Sequence, residues 1–175
     1  MRRVQTFKIA ASIVVALLLQ ILFAKRFSFF QYVELPLVIT VFFSLQRSPI
    51  QGMFVGMAAG LGLDIVSGGD AIGVRGFSFT LLGYVIAMGS IRFSLEQKPV
   101  RILVTAVASI ANTVLFVGLC KVLEKNVLTN GPDELLKLAL YKAIGDTAAG
   151  LILFILLDRI FPRTGSTTIK RRFYE

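Results

Sequence analysis

At 175 residues and 19.2 kDa the chain has the length of one domain, yet 55% of it is apolar, its mean hydropathy is +0.78 and only 17% is charged. A soluble globule carries about 25% charged residues, so water is the wrong solvent for this composition, and the same apolar content excludes disorder. The formal net charge of +9 does not point to nucleic acid, because Lys and Arg flank apolar runs, where they act as topology signals and contacts for anionic lipid.

A bilayer crossing takes about 20 apolar residues per helix. Six such runs predict an all-α polytopic integral membrane protein with six transmembrane helices, at about 7–24, 33–45, 50–67, 74–91, 100–123 and 138–157. They form a single domain over 1–162, followed by a basic cytoplasmic tail, 163–175. Met1-Arg2-Arg3 and the apolar run after them resemble the start of a signal peptide. Ala24-Lys25-Arg26 is a poor cleavage site, however, so the first span is expected to stay attached. The second span is short. The aromatic stretch Phe27 to Tyr32 precedes it at the membrane interface, Glu34 opens it, and Gln46-Arg47-Ser48-Pro49 ends it. The third stops at a turn containing Gly68, Gly69 and Asp70, and Gly73 leads into the fourth. The fifth is uninterrupted. The sixth starts well before its membrane core, with Pro132 in a first-turn position and Asp133 and Glu134 behind it.

Even parity puts both termini on one side. That side collects Arg2, Arg3, Lys8, Arg47, Arg92, Lys98, Arg101, Arg159, Arg163, Lys170, Arg171 and Arg172, which are 12 of the 19 basic residues. The excess predicts that both termini are cytoplasmic.

Histidine is missing and Cys120 is the only cysteine, which removes imidazole acid/base chemistry, thiol or imidazole metal sites and intrachain disulfides. Cys120 lies in an apolar run and reads as a small buried hydrophobe. Neither a phosphate-cradling GxxxxGK[ST] nor a GxSxG elbow occurs. No enzymatic activity and no cofactor are expected.

Gly52, Gly56 and Gly60 recur every four residues in the third span, so they share one helical face and let a neighbouring backbone come close. The face suits either a partner protein or another helix of the same chain. Asp64 continues the same face one turn further, and Arg75 across the turn is its nearest counter-ion in sequence. Asp146 falls well inside the sixth span among small residues, with Lys142 one turn before it as a possible ion-pair partner. Glu34, Asp64, Arg75, Lys142 and Asp146 all fall in the outer half, and the half nearer the termini is expected to hold no carboxylate. Intramembrane ionisable groups often mark solute or proton pathways. An outer polar cluster also suits a second role, that of locking the helices together.

The stretch from Gly56 to Gly73, GMAAGLGLDIVSGGDAIG, resembles the rod-shape-determining MreD family, and Leu81-Leu82-Gly83-Tyr84-Val85 is similar to that family's fourth span. Asp64 and Gly73 match its pattern positions, with weaker likeness at Glu34-Leu35-Pro36 and at Asp146. The resemblance implies a six-helix fold similar to the substrate-binding subunits of energy-coupling-factor transporters. It also implies a non-enzymatic place in the bacterial cell-elongation complex of the inner membrane. There such proteins scaffold MreC and the peptidoglycan synthase, with MreB, RodA and a penicillin-binding transpeptidase as direct or indirect partners. The alternative is a solute-binding or transport subunit that uses the outer polar residues as a pocket.

Overall fold

The computed structural model describes residues 2–26, 32–46, 48–68, 72–93, 97–124 and 132–161. Six α-helices follow one another in these segments: α1 (Arg2–Arg26), α2 (Leu35–Ser44), α3 (Pro49–Ser67), α4 (Val74–Arg92), α5 (Lys98–Val122) and α6 (Pro132–Ile160). Prolines sit in the first turns of α2, α3 and α5, where the missing N–H costs nothing. Gly68, at φ 60°, ends α3, and Gly73, at φ 97°, precedes α4. Both lie in the left-handed region that a side chain disfavours. Gly69 and Asp70, expected in the same turn, and the tail 163–175 lie outside the described residues.

Five of the helices are long and apolar enough to cross a membrane; α2 is not. Its ten residues rise about 15 Å, half of a hydrocarbon core of about 30 Å, which corrects the expected span at 33–45. Apolar residues do run through that stretch, but Val33 and Glu34 are not helical and the α-helix begins only at Leu35. All ten of its residues are buried among the other helices. It packs against each of the other five helices. A helix that is apolar all round belongs in a core, and Leu37, Val38, Val41, Phe42 and Phe43 have no exposed surface. In the other direction α6 is longer than expected, so Asp158 lies within it.

The long helices surround α2 in the order α1, α3, α4, α5, α6, each packed on the next. The first halves of α1 and α3 meet around one cavity with Phe43 and Phe161, lined by Thr6, Ile9, Gln51 and Val55 among others. α1 and α3 are therefore parallel, and α2 with its lead-in has carried the chain back between them. The start of α1 and the end of α6 share this terminal end; α1, α3 and α5 finish at the opposite, distal end. Outward side chains such as Leu18, Ile65 and Ile152 are apolar and exposed, as lipid-facing positions must be.

Candidate functional site

The close approach of α3 and α4 comes from glycine on both sides. A Cβ on Gly52 would lie 2.8 Å from the Gly83 carbonyl oxygen, one on Gly60 would lie 2.5 Å from that of Arg75, and one on Gly56 would strike the Phe79 carbonyl. Gly83 in turn has no room for a Cβ against the Gly52 backbone, and Gly76 meets the Leu61 side chain. The seam of Gly52, Gly56 and Gly60 is thus occupied within the chain, by an antiparallel neighbour. Gly76 and Gly83, seven residues apart on α4, are the half that the four-residue spacing did not reveal.

This contact brings Asp64 beneath the start of α4. A helix N-terminus leaves N–H groups without partners, and the Asp64 carboxylate, 2% exposed, supplies the acceptor from another helix. Its Oδ2 accepts the N–H groups of Gly73 at 2.7 Å, Arg75 at 3.1 Å and Gly76 at 3.4 Å. The helix dipole favours a negative charge at that position. Oδ1 lies 3.5 Å from Nη1 of Arg75, whose guanidinium also lies over the Phe116 ring at 4.6 Å.

The start of α2 poses the same problem deeper in the bundle. Non-helical backbone at membrane depth has no water and must find partners in protein. Asp146 Oδ1 accepts the Glu34 N–H at 2.6 Å. Gln20 of α1 acts twice: its Nε2 donates to the Val33 carbonyl at 2.7 Å and its Oε1 accepts the Leu35 N–H at 3.1 Å. Ser109 Oγ donates to the other Asp146 oxygen at 2.5 Å.

Glu34 joins the two arrangements. Its Oε1 is 2.5 Å from Lys142 Nζ and 3.9 Å from Arg75 Nε, and its Oε2 accepts from Asn112 Nδ2 at 2.7 Å. Lys142 therefore pairs with Glu34 and not with Asp146, one turn away on its own helix, as the sequence had suggested. Asp146 faces the α2 backbone, which leaves Glu34 as the carboxylate within reach of Lys142. All five charged residues expected in the outer half, Glu34, Asp64, Arg75, Lys142 and Asp146, form one connected group that links α3, α4, α5 and α6 through the head of α2. Sequence reasoning missed Gln20, Ser109 and Asn112. Each is a polar residue in an apolar run, which was the available signal.

At the terminal end Arg101 Nη1 pairs with Asp158 Oδ2 at 2.8 Å. The expectation of no carboxylate in that half is corrected by Asp158, and Arg101, counted above as a topology charge, is 8% exposed. Cys120 is buried. Among the described residues no group of three or more Cys, Asp or Glu is placed to hold a metal ion.

A helical bundle with apolar flanks and a desolvated ionic core is the architecture of a multi-pass membrane protein. Residues 1–158 match the family described as rod shape-determining protein MreD, and the chain belongs to that family. No curated protein and no solved structure matches it, so the likeness to energy-coupling-factor subunits rests on the sequence resemblance alone.

Proposed function

We propose that the chain is a non-enzymatic scaffold of the bacterial cell-elongation complex. In this reading it resides in the inner membrane as one six-helix domain over 1–162, with both termini and the basic tail in the cytoplasm. It binds MreC, and directly or indirectly MreB, RodA and a penicillin-binding transpeptidase. Beyond family membership, one observation carries the reading: the charged groups of the core are engaged with one another or with backbone N–H groups of neighbouring helices. Chemistry spent in that way fixes the relative positions of helices and holds a constant lateral surface toward partners. The test is affinity purification in mild detergent. Recovery of MreC with the full chain is the expected result, and its absence under conditions that keep the chain monodisperse would remove the reading.

One observation favours the rival, a small-solute site. Oδ1 of Asn112 is buried beside Glu34 with no hydrogen-bond donor, which a polar ligand would supply. Native mass spectrometry of the purified chain separates the two. A retained small molecule, lost in Asn112→Leu, supports the solute site. A bare chain, together with normal cell shape in Asp146→Asn, supports the scaffold.

A further inference from the structure

The ring of long helices around α2 is open at one place. Among the described residues α1 and α6 both pack on α2 but do not pack on each other. The gap between them is a groove of about 550 Å³ whose floor is α2. One wall is a continuous face of α1 from Lys8 to Phe23, about 22 Å long, and the other a face of α6 from Ala149 to Ile160, about 17 Å long.

Width decides what fits. At the bottom of the groove Ala16, Leu35, Ile39 and Leu157 are only 2%, 6%, 2% and 3% exposed. Spread along about 22 Å, the groove's 550 Å³ leaves a mean cross-section of about 25 Å², on the scale of a single hydrocarbon chain and far below that of a helix about 10–12 Å across. Length agrees, since one lipid chain reaches about 15 Å, half of the hydrocarbon core. Charge decides which lipid. The lining is apolar throughout except for Ser12, whose hydroxyl is engaged by the Lys8 carbonyl at 2.9 Å, and Lys8 itself. Lys8 is exposed at the terminal end of the groove, and Arg159, also exposed, lies one residue before Ile160 at the same end. A cation above a slender apolar trough is complementary to an anionic headgroup with an acyl chain below it.

We propose that the groove between α1 and α6 holds an anionic phospholipid of the leaflet at the terminal end, its phosphate at Lys8 and one acyl chain along the α2 floor. This goes beyond the scaffold reading and does not depend on it.

The chain has no tryptophan, so one introduced indole reports alone. Val15 lines the groove and Val14 does not; both are about half exposed, at 53% and 54%, so Val15→Trp and Val14→Trp leave the core untouched. The full-length variants are placed in phosphatidylcholine vesicles that contain a minor fraction of phosphatidylglycerol, with bromine at mid-chain on either lipid. Bromophosphatidylglycerol is expected to quench Val15→Trp with about a fivefold preference over bromophosphatidylcholine, the equilibrium equivalent of the ~1 kcal/mol that one basic residue contributes at an anionic surface. Val14→Trp shows no such preference, and adding Lys8→Glu abolishes it at Val15. Equal quenching by both lipids at both positions means ordinary boundary lipid and overturns the proposal. Weaker quenching by either lipid at Val15→Trp than at Val14→Trp means that the groove is closed or covered by a second copy or a partner helix, and overturns it as well.

Discussion

An ionisable side chain costs ~2.5–3.5 kcal/mol at the bilayer centre on insertion scales, and less near a helix end; Asp64 and Asp146, both buried, each answer a specific need of the backbone. Asp64 collects three N–H groups at the start of α4. Removing an acceptor from buried donors costs about 1–3 kcal/mol. Asp64→Ala is therefore expected to lower the unfolding free energy of the detergent-solubilised chain by an amount of that order. Asp64→Asn keeps one acceptor oxygen and should fall between Ala and wild type. Identical losses for both would mean that the carboxylate serves Arg75 and not the helix end. The Glu34 and Lys142 pair gives a second prediction from its 2.5 Å separation and deep burial. Breaking a buried pair by removing one partner costs about 3–5 kcal/mol. Glu34→Gln and Lys142→Met should thus each be severe, while the double variant recovers about 0.5–3 kcal/mol as coupling. Additive single effects in the unfolding cycle would show that the two groups act independently.

Elements meet through these residues, and two of them carry the architecture. The α3/α4 hairpin needs glycine where backbone faces backbone, so Gly56→Leu with Gly60→Leu should force the helices apart and abolish accumulation of folded protein in the membrane. Gly118→Leu is the control: a Cβ at Gly118 meets nothing within 4 Å, and its expression and thermal stability should stay at wild-type level. Much of this hairpin is legible in the sequence, because the spacing of Gly52, Gly56 and Gly60 is a local signal on one helix. α2 is different. Hydropathy over 33–45 cannot distinguish a full crossing from a half-length core helix with an unwound lead-in. What makes the lead-in tolerable is Gln20 and Asp146, and the latter is 112 residues from the Glu34 N–H that it accepts. For the same reason Lys142 looked like a partner for Asp146: four-residue spacing is visible in a sequence, whereas the choice of Glu34 depends on how α2 is seated between α5 and α6. Arg101 and Asp158, 57 residues apart, were hidden by the same distance.

For the whole molecule, the parallel course of α1 and α3 makes parity independent of the length of α2, so the start of α1 and the end of α6 stand at one end although, among the described residues, only five helices are long enough to cross. Which side of the membrane that end occupies depends on charge. The order of spans assigns 12 of the 19 Lys and Arg residues to the terminal side and seven to the distal side, and the side richer in positive charge is expected to stay in the cytoplasm. A reporter fused at Glu175 is expected to read cytoplasmic and one inserted after Gly68 external. Arg163, Lys170, Arg171 and Arg172 supply four of the 12. Replacing all four by Gln leaves eight against seven, a margin too small to hold the orientation by charge alone, and Lys25 and Arg26 beside the first span oppose it. The same pair of reporters should then reveal a fraction of inverted chains, with external signal appearing at Glu175. A quadruple variant that remains wholly cytoplasmic at Glu175 would assign the decision to Arg2, Arg3 and Lys8 at the first helix and leave the tail free for another contact.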